Sequence, residues 1–194
     1  MVASVIIINW NGLRFLPSLF DSLRAQTFND NKFEVIFVDN NSSDESVSYI
    51  EKNYPEAVLV KHHSNSGFAE GCNIGFKHSR GEYLVLINND MVLDKDWLKT
   101  LVETADKSSF TVGGIVSKVL FKNKPGYINN AGSILRPLSD WPVSDRGFME
   151  KDGPSYSKTE EVSAFCGASV LLKRTMLEQI GIFDQSYFMY FEDA

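Results

Sequence analysis

Ser4-Val5-Ile6-Ile7-Ile8-Asn9-Trp10-Asn11-Gly12 is a near-continuous β-branched run that stops at asparagines and a glycine. A run apolar on both alternating sides suits a strand in a sheet covered on both faces, whereas a half-solvated strand would alternate. Asn and Gly at its end suit a tight exit from the sheet. The same design recurs at Phe33 to Val38, Val58 to Lys61 and Tyr83 to Ile87.

Helical patterns lie between these runs. Leu16, Leu19, Phe20 and Leu23 recur at helical spacing behind Gly12, with Pro17 tolerable in a first turn. Ser42-Ser43-Asp44-Glu45 predicts a capping box, Ser42 as N-cap and Glu45 three residues on, opening a helix that runs to about Asn53. A third helix is expected from Gly67, and a fourth capped by Asp94 before Trp97, Leu98 and Leu101. Strands alternating with helices predict βαβ units: an α/β fold with a mainly parallel central sheet flanked by helices.

The second half is less regular. Val112 to Phe121, Ile128 to Leu135 and Ala168 to Leu172 read as strands, and Arg174 to Ile180 as a helix stopped by Gly181. From Arg136 to Lys158 the pattern dissolves around Trp141, as functional loops do.

At 194 residues, 43% hydrophobic and 23% charged, the chain has the length and composition of one folded domain and not of a disordered segment. A formal charge of −6 disfavours nucleic acid as a partner, since phosphate neutralisation needs clustered Lys and Arg, which appear only singly here. Cys72 and Cys166 stand in no metal-ligand or disulfide spacing. No basic n-region precedes the first strand and no apolar run approaches the roughly 20 residues of a spanning helix, so a cytoplasmic location is expected.

Ligands of open α/β sheets bind beyond the carboxyl ends of the strands. The segments there are Asn9-Trp10-Asn11-Gly12, Asp39 to Asp44, Asn65 to Asn73 and Asn88-Asn89-Asp90. Each alone is ordinary turn chemistry; together they set donors and acceptors along one edge, as a base, a ribose and a diphosphate require.

In order, Val5 to Gly12, Val38 to Asp44, Asn65 to Ala69, Asn73-Ile74-Gly75, Leu86 to Asp90, Phe183-Asp184 and Phe191-Glu192-Asp193 resemble the family 2 glycosyltransferases. The wording of the first two segments is similar to the rhamnosyltransferase-like branch. The resemblance implies a GT-A fold: a Rossmann-like, mainly parallel sheet with a smaller mixed or antiparallel part on the acceptor side. It implies a nucleotide-sugar-binding half over residues 1–110 and an acceptor-side half over 111–194, C-terminally truncated.

The activity implied is inverting transfer from a nucleotide-diphosphate sugar, dTDP- or UDP-linked, with dTDP-rhamnose among the donors. The acceptor implied is a glycan or lipid-linked hydroxyl in cell-surface polysaccharide synthesis. Peripheral association with the inner membrane face would then come through the part beyond Ala194. Alternatives are a non-catalytic nucleotide-sugar-binding module, an inactive fragment, or another nucleotide-dependent enzyme. No GxGxxG follows the first strand to support the last.

The resemblance also assigns residues. Asp39 is expected at the base or ribose with Asn9, Asn11, Asn41, Asn65, Gly67 and Asn73 around the donor. Asn88-Asn89-Asp90 takes the place of a DxD motif for Mg2+ or Mn2+, with Asn88 where the first acid would stand. Asp90 is then the metal ligand, and Asn88 a ribose contact. Gly167 and Ala168 match a small-residue step beneath the donor sugar. Asp193 corresponds to the base that takes the acceptor proton, and Glu192 to the residue that orients it.

Overall fold

A computed structural model of the chain describes residues 1–135 and 143–188. In chain order the elements are β1 (Ala3–Asn9), α1 (Leu16–Arg24), β2 (Phe33–Asp39), α2 (Ser46–Asn53), β3 (Val58–Lys61), α3 (Gly67–His78), β4 (Tyr83–Asn88) and α4 (Trp97–Lys107). They continue with β5 (Gly114–Val116), β6 (Val119–Leu120), β7 (Ile128–Asn130), β8 (Ser133–Leu135), β9 (Val143–Asp145), β10 (Ser169–Lys173) and α5 (Arg174–Ile180).

Six strands form the central sheet in the order β3-β2-β1-β4-β10-β5. β1 to β4 run parallel, and β10 is antiparallel to both β4 and β5. The near-continuous apolar strands are explained by what covers them. Val5, Ile7, Phe37, Val85 and Ile87 meet α1, α2 and α4 on one face, through Leu16, Leu19, Phe20, Ile50, Leu98 and Leu101. Ile6, Ile36, Val38, Leu84 and Leu86 meet Cys72 and Ile74 of α3 and Leu177 of α5 on the other.

Helix α1 has no side-chain cap, so its stability comes from Leu16, Leu19, Phe20 and Leu23, all buried and each worth ~1.5–3 kcal/mol. Buried Gln26 ties α1 to α4: its amide donates to the carbonyls of Ser22 (3.0 Å) and Asp94 (2.8 Å) and its oxygen accepts from Leu98 N–H (3.0 Å). That last bond satisfies one of the orphan donors of a helix start from a distant part of the chain.

Several expectations change. Ser42 is no N-cap: α2 begins at Ser46 and is preceded by Glu45 without a capping side chain, because the Ser42 hydroxyl is bound to Asp39. Asp94 closes a turn onto the N–H of Asp96, which itself precedes α4. Val112 to Phe121 divides into β5 and β6, which belong to different sheets, and Ile128 to Leu135 divides into β7 and β8 around Gly132, whose φ is +99°. β6 pairs with β7 and β8 with β9, both antiparallel. The expected loop 136–158 holds β9 and a 3-10 turn over Pro154–Tyr156, while Trp141 lies outside the described residues. Among the described residues, no helix is long and apolar enough to cross a membrane.

Candidate active site

Strand order turns back between β1 and β4. The chain proceeds outward from β1 through β2 to β3, then returns by α3, on the opposite face, to place β4 on the far side of β1. Such a reversal leaves a crevice beyond the strand ends, where open α/β sheets take their ligands. Asn9 ends β1 beside Asp39, which ends β2, and Asn88 ends β4 one step along the register. β10 runs the other way, so its first residue, Ser169, opposite Ile87, lies at this same edge. There Ala168 accepts from the N–H of Asn88 at 3.1 Å.

Asn9 is fully buried and is the hub of this edge. Its Nδ2 donates to Asp39 Oδ1 (3.2 Å) and to Ser42 Oγ (3.1 Å), and its Oδ1 accepts from Asn89 Nδ2 (2.8 Å). A carboxylate only accepts, which fixes the orientation of the Asn9 amide and, through it, that of Asn89. Gly12 lies against this pair, and a Cβ there would overlap Asn89 Nδ2 and Asn9 Oδ1. The glycine after the first strand therefore admits the asparagine bridge.

Asp39, 2% exposed, has both oxygens engaged: Oδ1 also accepts from Ser42 Oγ (2.6 Å) and Oδ2 from Ser42 N–H (2.9 Å). It organises the edge from beneath. Asn11, at φ +52°, accepts at Oδ1 from the N–H groups of Ser43 (2.7 Å) and Asp44 (3.2 Å), locking the loop after β1 to the loop after β2. Asn tolerates this left-handed backbone better than most residues, as Asn41 does at φ +61°. Burial pushes the Asp44 carboxyl up, but hydrogen bonds from Ser46 and from Leu13 N–H outweigh it and hold the group below its ordinary range.

A second group stands at the start of α3. Asn65 Oδ1 accepts from Gly67 N–H (3.1 Å), and buried Asn40 donates its amide to the Gly67 carbonyl (2.9 Å). Gly67 has φ +84°, and Phe68 N–H donates to the carbonyl of Phe188 at 2.8 Å. The end of the described chain thus caps a helix start whose free N–H groups would otherwise face solvent.

Asn73 does not reach the edge as a donor contact. It is 1% exposed and its amide is taken up by the backbone of Phe183, donating to the carbonyl (2.9 Å) and accepting from the N–H (3.1 Å). Asn9, expected as a direct contact, is likewise inside the network and acts by holding its neighbours. Asn11, Asn41 and Asp90 are exposed at the rim, and Asn88 and Asn89 are partly so. Gly167 is buried beside Ala168. Glu192 and Asp193 lie outside the described residues. Ser42 and Asn40 lie in the strand-end segment expected at this edge, but Ser42 also has the spacing of a helix cap, and the Phe188 carbonyl, a backbone group, has no local signal.

For a divalent cation the Asn88-Asn89-Asp90 triplet offers the exposed carboxylate of Asp90, and the described residues hold no cluster of three His, Cys, Asp or Glu. That fits a hard cation held by one carboxylate, water and the phosphates of a bound nucleotide, as Mg2+ commonly is, and does not fit a cage made by protein alone.

Residues 4–181 match the family model described as "Glycosyl transferase family 2". The poly(ribitol-phosphate) beta-N-acetylglucosaminyltransferase TarS of Staphylococcus aureus is 29% identical over 110 residues, which is 55% of this chain and 19% of TarS. The low-salt glycan biosynthesis hexosyltransferase Agl10 of Haloferax volcanii is 22% identical over 200 residues, 98% of this chain and 58% of Agl10. The chain therefore spans a fifth to three-fifths of these relatives' length.

Among solved structures, S. aureus TarS 1–349 superposes with a TM-score of 0.70 at 21% identity, covering all of this chain and 53% of that one. TarS has also been solved with UDP-GlcNAc, a match of 28% identity and TM-score 0.52 over 55% of this chain and 32% of that one. The mannosyltransferase PcManGT of Pyrobaculum calidifontis, in complex with GDP-Man and Mn2+, gives a TM-score of 0.65 at 20% identity over 94% of this chain and 47% of that one. At the identities of the two long superpositions, the likeness is one of fold.

Proposed function

Because the chain belongs to glycosyl transferase family 2 and has the GT-A fold of its structural neighbours, we propose that it moves a sugar from a nucleotide-diphosphate donor to an acceptor hydroxyl with inversion. The donor is a UDP- or dTDP-sugar, dTDP-rhamnose among them, and the acceptor a glycan or lipid-linked saccharide of the cell surface. The observation that carries this reading is the Asn89–Asn9–Asp39 bridge across the β4, β1 and β2 ends, at the point where strand order reverses. Residues 1–110 hold the donor and the remainder faces the acceptor.

In this proposal Asp39 and the exposed asparagines Asn11 and Asn41 meet the base and ribose, while Asn9 holds the loops that carry them. Asn65 and Gly67 shape the rim where the C-terminal segment arrives, and Asn73 anchors that segment through Phe183. Gly167 and Ala168 lie beneath the donor sugar, where small residues let it approach the backbone, and Asn88, whose N–H bonds the Ala168 carbonyl, meets the ribose. Mg2+ or Mn2+, when bound through Asp90, supplies positive charge to the leaving diphosphate.

Asp193 takes the proton of the acceptor hydroxyl as that oxygen bonds to the anomeric carbon. The carbon–oxygen bond to the diphosphate breaks on the opposite face, and its electron pair stays on the phosphate. Glu192 orients Asp193. A second reading, a module that binds the donor without transfer, is favoured by Asn88, which removes one charge from the metal-binding triplet.

Asp193→Asn decides between them. Transfer by the parent chain that is lost in the variant while donor affinity is kept supports the base. Donor binding without transfer or hydrolysis in the parent favours the module. A thermal-shift screen of UDP-, dTDP- and GDP-sugars with and without Mn2+ identifies the donor, since ligands of the native state raise its stability.

A further inference from the structure

The charge of this chain is unevenly distributed. Of its 25 acidic residues none falls between Asp106 and Asp140, a stretch that carries Lys107, Lys118, Lys122, Lys124 and Arg136. In the middle of it the β6–β7 hairpin turns at Lys122-Asn123-Lys124-Pro125-Gly126, where Gly126 has φ +77° and open space around it. Tyr127 bridges to Lys151 of a neighbouring segment, and Ile128 bonds to Met149 and Glu150 of the same segment.

Large apolar side chains gather on this small sheet and are left in water. Leu120 is 44% exposed, Phe148 55% and Met149 47%. The Phe121 and Phe148 rings pack edge-on, 5.8 Å between centroids, so the segments are held as one patch. Met149 keeps a left-handed backbone, φ +64°, which side-chain-bearing residues seldom adopt, while its N–H is tied to the Ile128 carbonyl. Lys124 rides over the Tyr127 ring at 3.8 Å, and Lys122 and Lys151 are exposed.

We propose that this hairpin and its neighbouring segment are a docking surface for an anionic lipid bilayer. Exposed Leu, Phe and Met bordered by lysines suit the headgroup boundary, where apolar side chains enter and basic ones meet lipid phosphates. The complementarity is local. The hairpin itself carries no acid; on the neighbouring segment Asp152 is paired with Lys118 at 2.7 Å and Glu150 accepts from the Tyr156 hydroxyl at 2.7 Å, so Lys122, Lys124 and Lys151 orient a chain of net charge −6 on an anionic surface. The chain leaves the sheet for this hairpin at Val116, and Ser117 N–H bonds Ser169 at the edge where Asn88 meets Ala168. Docking through this hairpin suits a lipid-linked acceptor, the acceptor class of the proposed function.

The test is co-sedimentation with phosphatidylglycerol–phosphatidylcholine vesicles and with phosphatidylcholine vesicles alone. Binding is expected to the anionic vesicles only and to weaken with salt. Each basic side chain near such a surface is worth ~5-fold in partitioning, so Lys122→Ala with Lys124→Ala lowers binding ~25-fold. Phe148→Ser with Met149→Ser also lowers it, and Lys52→Ala with Lys77→Ala, exposed elsewhere, leaves it unchanged. No binding to anionic vesicles, equal binding to neutral ones, or equal loss in the Lys52 and Lys77 pair overturns the proposal. Asp193→Asn keeps vesicle binding, so this surface and the transfer reading succeed or fail separately.

Discussion

Asn89 donates its side-chain amide to Asn9 Oδ1 at 2.8 Å, joining the ends of β4 and β1 across the gap that the reversal of strand order opens. Without that bond the two loops would be free to part at the crevice. The fully buried Asn9 continues the link to Asp39, so three strand ends are tied together.

Asn9→Ala removes partners from Asn89, Asp39 and Ser42 together. Unpaired buried polar groups cost ~1–3 kcal/mol, so the variant is expected to melt earlier and to lose its nucleotide-induced thermal shift. Full retention of both would show the bridge to be incidental.

Asp90→Ala is expected to leave folding unchanged, because the side chain is exposed, yet to abolish the enhancement of donor binding by Mn2+. Calorimetry of Mn2+ with and without UDP reads this directly. In the parent chain Mn2+ alone should bind weakly and UDP should strengthen it, because one protein carboxylate needs phosphate co-ligands.

Gly67→Ala puts a side chain at φ +84° and into the Phe188 carbonyl. The left-handed backbone costs ~1–2 kcal/mol, and the Phe68–Phe188 bond must lengthen or break. Faster protease cleavage after Gly181 and a large fall in transfer are the expected readouts. Unchanged proteolysis would separate the C-terminal segment from this contact.

Glu34 makes stability pH-dependent far from the active edge. Burial pushes its carboxyl up, but bonds from Arg80, at 2.7 and 2.9 Å from the side chain, and from Ser4 outweigh it and lower it below its ordinary 4.5. A lowered native value means that stabilisation is complete above about pH 4.5 and is lost as pH falls through the native value. Melting of the parent should therefore decline more steeply below that pH than melting of Glu34→Gln, which starts ~1–3 kcal/mol lower at neutral pH. Parallel curves would remove Glu34 from the acid limb.

Much of the framework follows from local pattern. Val5 to Ile8, Phe33 to Val38 and Tyr83 to Ile87 read as strands covered on both faces and pair in parallel, which collects the polar residues that end them at one edge of the sheet. Where local pattern had two meanings it misled. Ser42 has the spacing of a helix cap, but the competing acceptor, Asp39, stands beside it and takes its hydroxyl.

The alternation of elements, the asparagine-rich edge and the acid-free stretch can be read from the chain, because strand burial, helical spacing and charge are properties of neighbouring residues. Which polar groups are left exposed at the rim and which hold one another emerges from packing alone. Asn9 and Asn89 are 80 positions apart and Asn73 and Phe183 are 110 apart, and no local periodicity encodes bonds over such distances. A buried amide must find its partners wherever the packed strands bring them, so whether an asparagine contacts substrate or scaffold is settled by folding.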